Sequence, residues 1–198
     1  MNQSPTITVR RATALEADTA FSLIEEYYEA IGVIVRDDRA ALEHYLSSPE
    51  SSIWLAYAPA TGGPAPATGG PASATGGPSV GPYPPASATG GPPSATGGPA
   101  SANATPAGCV MLRPLPQIPQ AAEVKRLYVR RAFRNLGLAH ALMQAAEDHA
   151  RREGHHWLYL DTKDDLHDAI RFYLSTGYTH CPRYNDNPQA TIFLRKRL

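Results

Sequence analysis

Residues 123–139, EVKRLYVRRAFRNLGLA, hold the densest chemistry in this chain. An apolar strand runs into a basic turn, and the turn opens a helix rich in Ala and Leu. The turn, Arg134-Asn135-Leu136-Gly137-Leu138-Ala139, has the spacing R-x-x-G-x-A. A helix that starts on such a turn presents unbonded N–H groups and the positive end of its dipole, a ready anion site. Gly137 lets the backbone approach a phosphate with no side chain in the way. Arg134 adds a charged fork suited to phosphate oxygens. The pattern points to a ligand that carries a pyrophosphate. It lacks the three glycines of a dinucleotide fingerprint and the Lys-Ser/Thr ending of a Walker loop.

Residues 157–178, WLYLDTKDDLHDAIRFYLSTGY, form a second organised stretch. An apolar strand ends at Asp161. A helix follows, with Asp164 or Asp165 expected as N-cap and Leu166, Ala169, Ile170 and Leu174 on its apolar face. Gly177 is a natural residue just past its end.

Together the two stretches resemble the GNAT superfamily of acetyltransferases. There R/Q-x-x-G-x-G/A follows a strand ending in a run like Leu127-Tyr128-Val129. A later signature, A-x-x-x-Y-x-x-x-G-F/Y, is matched by Ala169, Tyr173, Gly177 and Tyr178. Arg183-Tyr184-Asn185-Asp186-Asn187-Pro188 before the last strand is similar to the end of many small bacterial members. Asn135 departs from the pattern, since family members commonly carry glycine there; asparagine tolerates unusual backbone angles, so the loop is expected to hold.

The resemblance implies transfer of an acetyl group from acetyl-CoA to an amine of a small molecule or protein, as an acyltransferase of the EC 2.3.1 type. Residues 127–129 and 134–139 would bind the cofactor. A lysine-like amine has a pKa of about 10.4, so it must lose a proton, and a carboxylate, often through water, can take it. Glu123, at the start of the fourth strand, stands where several members place that base; a solvated strand-start glutamate is the alternative. Strand alternation puts Glu123 on one face with Lys125 and Leu127. The oxyanion would take a backbone N–H from Leu127 to Val129. Tyr173 matches the tyrosine that protonates the departing thiolate, with a core aromatic as its alternative. Asp161 would orient the amine, pair with Lys125 or Arg126, or cap a helix. Acceptor contacts are expected from Tyr27, Tyr28, Arg36 and Asp37, and from Arg183, Tyr184, Asn185 and Asn187. Homodimers are common in the family.

These residues need a scaffold, and the rest of the chain supplies its elements. TITVRR at 6–11 alternates as a first strand. Thr13 and Glu16 make a capping box for a helix striped with Ala20, Phe21, Ile24, Tyr28 and Ile31 and stopped by Gly32. Asp37 or Asp38 caps a second helix bearing Leu42, Tyr45 and Leu46. A third, from about Leu136 to Arg152, buries Leu138, Leu142, Ala145 and His149. The order β-α-α-β-β-β-α-β-α-β-β implies an α/β fold. The resemblance makes it a mixed sheet of about seven strands with four helices on both faces.

Residues 59–106 interrupt this pattern. ATGGP recurs at 60, 67, 74, 88 and 95, with no charged residue in the segment. Such a stretch cannot bury enough surface to offset its ordering entropy, so a disordered loop is expected. Its flanks, Ile53–Ala56 and Cys109–Leu112, read as adjacent strands, so the repeat sits in place of a surface turn inside one domain spanning 5–198. Long surface insertions cost little.

The 198 residues carry 18 basic and 18 acidic side chains. That balance argues against a nucleic-acid or membrane-surface binder. No apolar stretch approaches the length of a membrane span and no leader is apparent, so a cytoplasmic protein is expected. Neither Cys109 nor Cys181 has a partner motif for nucleophilic chemistry, and the seven histidines show no metal spacing; no metal is expected. Two other classes stay open: a non-catalytic acyl-CoA-binding or regulatory module of the same fold, and an interaction protein acting through its repeat.

Overall fold

A computed structural model describes residues 7–35, 38–59 and 104–198. Seven strands and four helices alternate in the expected order: β1 (Thr8–Arg11), α1 (Ala17–Ile31), α2 (Arg39–Ser47), β2 (Ser52–Pro59), β3 (Ala104–Pro114), β4 (Ala121–Val129), α3 (Leu138–Arg152), β5 (Trp157–Thr162), α4 (His167–Ser175), β6 (Thr179–His180) and β7 (Ile192–Arg197). The strands form one mixed sheet in the order β1-β2-β3-β4-β5-β7-β6. Only β4 and β5 run parallel. Helices α1 and α2 bury Ala20, Leu23, Ile24, Tyr28 and Leu42 against one face. On the other face α3 buries Leu138, Leu142 and Ala145, with Tyr173 of α4 beside them.

Local chemistry explains most boundaries. Glu16 accepts from the Thr13 N–H at 3.2 Å, and a 3-10 turn over Ala14–Glu16 leads into α1. Helix α1 ends where Gly32 turns left-handed at φ 61°. Asp38 caps α2 by accepting from the Ala41 N–H at 2.8 Å. Helix α4 ends in a Schellman motif: the Tyr178 N–H donates to the Tyr173 carbonyl and Gly177, at φ 93°, donates to that of Leu174.

The start of α4 differs from expectation. Leu166, not Asp164 or Asp165, holds the N-cap position and contributes no side-chain bond. The aspartates are engaged elsewhere. The Asp164 N–H donates to the Thr191 hydroxyl at 2.8 Å, and the Asp165 carboxylate pairs with Lys163 at 3.0 Å. Leu174, expected on the apolar face, is 42% exposed, because Tyr173 is the residue that this helix turns inward.

The β2–β3 hairpin carries the repeat. Its ladder extends to Ala58↔Thr105 and Pro59↔Ala104, so Pro59 and 104–106 belong to strands rather than to the insert. The rest of the expected repeat loop, 60–103, lies outside the described residues, as do Arg36 and Asp37.

Candidate functional site

The sheet opens in the middle. Strand β4 pairs with β5 only from Ala121↔Trp157 to Glu123↔Tyr159, whereas β5 stays on β7 along its whole length. Beyond Glu123 the two parallel strands part. On that side, residues 125–129 have no ladder partner among the described residues, and their backbone N–H and C=O groups form an unfilled sheet edge.

A bulge shapes this edge. The β3–β4 register shifts between Cys109 and Met111, and Arg126 opposite it adopts φ 55°. The extra residue overturns the expected alternation. Glu123 and Lys125 share a face, but Leu127 packs with the α3 cluster on the opposite face, and Tyr128 joins the α1 cluster. Gly108 pairs with Val129 just beyond the bulge, and a Cβ there would come within 2.4 Å of the Tyr128 carbonyl oxygen. Only glycine lets β3 lie this close.

One end of the open edge leads to the basic turn. Arg134 donates from Nε to the Val129 carbonyl at 3.2 Å, which ties the turn to the strand end. Asn135 takes φ 63° and Gly137 φ 80°, so the asparagine does stand in a left-handed position that glycine would hold more easily. Gly137 is the exposed N-cap of α3, and the N–H groups of 138–140 in the first turn have no partner within the helix.

At the other end, between α1, β4, β5 and the loop before β7, lies a cleft of about 370 Å³. Tyr27, Tyr28, Lys125, Asp161, Asn185 and Asn187 are among the residues lining it. Its floor is a closed ionic network. Lys125 Nζ lies 2.7 Å from Asp161 Oδ1 and 2.9 Å from Glu123 Oε1. Arg113 reaches Glu123 Oε2 at 2.5 Å. Tyr184 donates to Glu123 at 2.9 Å and Asn185 donates to both acids, at 3.0 and 2.9 Å. Asn187 donates to Asp161 at 2.9 Å. Burial alone would raise the Asp161 carboxyl; the Lys125 charge and hydrogen bonds from Lys125, Asn187 and Asn185 outweigh it and hold it below the ordinary value.

The expected site residues therefore divide. Asp161, Tyr28, Asn185 and Asn187 line the cleft. Asp161 takes Lys125 as its partner, not Arg126. Glu123 does not line the cleft. It has no exposure and accepts from Arg113, Lys125, Tyr184 and Asn185, so no direct path joins it to an amine in the cleft. Tyr184 is a donor beneath the floor, packed edge-on between Tyr159 and Phe193. Arg183 stacks on Phe193 at 4.6 Å and donates to the carbonyls of Asn187 and Ala190, bracing the loop rather than facing the cleft. Tyr184 and Arg183 line a separate cavity of about 310 Å³. Tyr173 is buried beside Phe172 of α4 and Tyr178 just past the end of that helix, 5.6 and 5.8 Å away by ring centroids. Burial, then Tyr27 and Asp161, raise its phenol well above 10, so it stays protonated.

Sequence reasoning missed Arg113 and the role of Arg126. The hairpin register Arg113↔Glu123 could have revealed the first. Nothing in the residue types announces the bulge that turns the second toward α1.

A family model described as the acetyltransferase (GNAT) family matches residues 81–178. The chain belongs to this family. An uncharacterized N-acetyltransferase of Schizosaccharomyces pombe is 36% identical over 88 residues, 44% of this chain and 53% of the relative. The chain thus spans about half the length of that relative. A GNAT-family acetyltransferase from Staphylococcus aureus superposes with a TM-score of 0.65 at 16% identity, over 97% of this chain and 99% of that one. The PaiA N-acetyltransferase of Thermoplasma acidophilum, solved in complex with coenzyme A, gives 0.61 at 12% identity over 98% and 99%. At these identities the structures speak to the fold alone.

Among the described residues no helix is long and apolar enough to cross a membrane, and no group of three His, Cys, Asp or Glu side chains is arranged to hold a metal ion.

Proposed function

We propose that this chain transfers an acetyl group from acetyl-CoA to a primary amine. The observation that carries the reading is the continuity of the opened β4 edge, which runs from the exposed N-terminus of α3 to a polar cleft. A pyrophosphate fits the first, an extended amide-bearing arm fits the second as an added strand, and an amine fits the third. The α3 first turn, Gly137 and the terminal guanidinium nitrogens of Arg134 bind phosphate oxygens. Residues 125–129 hold the arm.

In the transfer the amine, once neutral, attacks the thioester carbonyl. A C–N bond forms, the C–S bond breaks, and a backbone N–H of 127–129 stabilises the oxyanion. Tyr173 gives its proton to the leaving thiolate and regains one from the amine nitrogen, so the products are the amide and free CoA. The first proton, which makes the ammonium neutral, leaves through water beside Asp161. Glu123 serves this site by fixing Lys125, and through it Asp161, rather than by taking the proton itself. Cations beside the amine lower its pKa and favour its neutral form.

Calorimetric titration with acetyl-CoA in the absence of acceptor, followed by measurement of acceptor-dependent CoA release, tests the reading. Micromolar binding and amine-dependent release are expected. Binding with no release for any amine would leave the non-catalytic acyl-CoA module.

A further inference from the structure

Helix α1 grips the open end of β4 at three points. The bulge turns residues 126, 128 and 130 toward α1, while Leu127 and Val129 pack with the α3 cluster. The Arg126 guanidinium carbon lies 4.9 Å from the Tyr28 ring centroid and 5.7 Å from that of Tyr27. The Tyr128 hydroxyl donates to Glu26 at 3.4 Å. Arg130 donates to the same carboxylate from Nε at 2.9 Å and from Nη2 at 2.6 Å. Its Nη1 donates to the Pro106 carbonyl at 2.6 Å, and its backbone N–H to the Ala107 carbonyl at 2.9 Å. Glu26 therefore ties α1 to β4, and Arg130 carries the tie on to β3.

This end of β4 needs such a tie. Residues 121–123 are laddered on both sides, by β3 and by β5. Residues 125–129 face only β3, and there the register skips from Lys125 to Tyr128. A strand with so few ladder bonds opens locally at a low free energy. Yet backbone groups that bind a ligand must stay within about 0.5 Å of their productive geometry. Side-chain bonds from the helix beneath supply what the ladder does not.

The form of the tie suits that task. An exposed ion pair is held loosely and contributes little. Here a guanidinium fork meets one carboxylate with two nitrogens, and the side-chain exposures are 29% for Arg130 and 32% for Glu26. Such a fork fixes orientation as well as distance. The basic turn beyond it has its own anchor, the bond from Arg134 to the Val129 carbonyl. Loss of Glu26 would leave that bond, and both Arg130 bonds to β3, in place.

On the basis of the acetyl-transfer reading above, we infer that Glu26 is a positioning residue for the acyl-CoA arm. Through Arg130 and Tyr128 it fixes where the backbone of 125–129 lies, and so how that edge receives the arm. It acts through the edge and not on the reacting atoms. Tyr27 and Tyr28, the next two residues of α1, line the cleft. The same helix thus sets the cofactor edge and one wall of the acceptor site.

The test uses the full chain and two ligands, acetyl-CoA and ADP. Both carry a pyrophosphate, and only acetyl-CoA carries the arm. Acetyl-CoA is titrated by calorimetry, and ADP is read by competition against it. Wild type should prefer acetyl-CoA. Glu26→Gln keeps the size of the side chain and removes its charge. It should weaken acetyl-CoA by about tenfold, the scale of one charge-assisted hydrogen bond, and ADP by less than about twofold. Arg130→Lys keeps the charge without the fork and should lose part of the preference. The Glu26→Gln/Arg130→Lys double variant should be no worse than Glu26→Gln, because the two residues act as one unit. A purely structural bridge would weaken both ligands alike, and that result would overturn the inference. So would a folded Glu26→Gln with its preference intact, additive losses in the double variant, or a wild type that binds ADP as tightly as acetyl-CoA. Should Glu26→Gln not fold, Arg130→Lys decides by the same preference. A wild type that does not bind acetyl-CoA at all would refute the acetyl-transfer reading, and the role of Glu26 with it.

Discussion

Removing the Lys125 ammonium while keeping its bulk, as in Lys125→Met, should strand two carboxylates in the floor of the cleft. Each of its contacts, 2.7 Å to Asp161 and 2.9 Å to Glu123, represents about 6 kcal/mol of gross attraction at an effective dielectric constant of about 20. Desolvation of the three groups cancels much of this. All are nearly enclosed, with side-chain exposures of 12% for Lys125, 5% for Asp161 and none for Glu123. Breaking a buried pair from one side costs about 3–5 kcal/mol, because a charge is left without its partner. That is the expected loss at pH 7. Arg113, Tyr184 and the asparagine amides still serve the acids, which places the expectation toward the lower end.

The loss should also depend on pH with a definite sign. In the wild type the folded Asp161 carboxyl lies below its unfolded value, so its contribution is present above the unfolded pKa and is lost as pH falls through the folded one. In Lys125→Met the charge that lowered it is gone and burial, which raises it, remains. The folded variant then binds a proton more readily than the folded wild type and loses less stability as pH falls. The gap between the two proteins should therefore narrow between pH 7 and about pH 5. Urea unfolding at both values, with the Lys125→Met/Asp161→Asn double variant as control, measures it. A loss below about 1 kcal/mol, or a gap equal at both pH values, would show that water screens the network and would refute the reasoning.

Arg134→Glu should weaken acetyl-CoA binding by about tenfold or more in calorimetry, since it sets a carboxylate beside the pyrophosphate site; equal affinities would remove the turn from the site. Tyr173→Phe should lower kcat by about 10²–10⁴-fold with acetyl-CoA affinity unchanged, as expected of a general acid; turnover at the wild-type rate would make Tyr173 a packing residue. Gly108→Ala must push β3 from β4 at the Val129 pair, because its Cβ would meet the Tyr128 carbonyl oxygen at 2.4 Å; a loss of about 1–3 kcal/mol by urea unfolding, with weaker acetyl-CoA binding, is expected of such overpacking. Replacing residues 60–103 by a short turn, while sparing the laddered Pro59 and 104–106, should preserve acetyl-CoA binding and stabilise the domain slightly, by about 0.6 kcal/mol per halving of the loop. A soluble deletion protein that cannot bind acetyl-CoA would show that the repeat contributes to the site.

Features decided by neighbours in the chain were legible in the sequence. The glycine stops at Gly32 and Gly177, the Asp38 cap, the basic turn into α3 and the order of elements depend on contacts a few residues apart, and each took the form that local chemistry requires. The period of α3 likewise exposed its buried face, His149 included. What tertiary structure decided was how distant groups share charge and space. The fate of Glu123 depended on Arg113 from the neighbouring strand and on Tyr184 and Asn185, about 60 residues away in sequence. Asp165 was taken from its helix by Lys163, and Arg183 and Tyr184 were drawn under the loop by Phe193 and Tyr159. Above all, one bulge in β4 reversed the strand alternation after Lys125. A strand's alternation holds only while each residue has one partner across the ladder, and the partner is set by how β3 folds back, with Gly108 at the crossing.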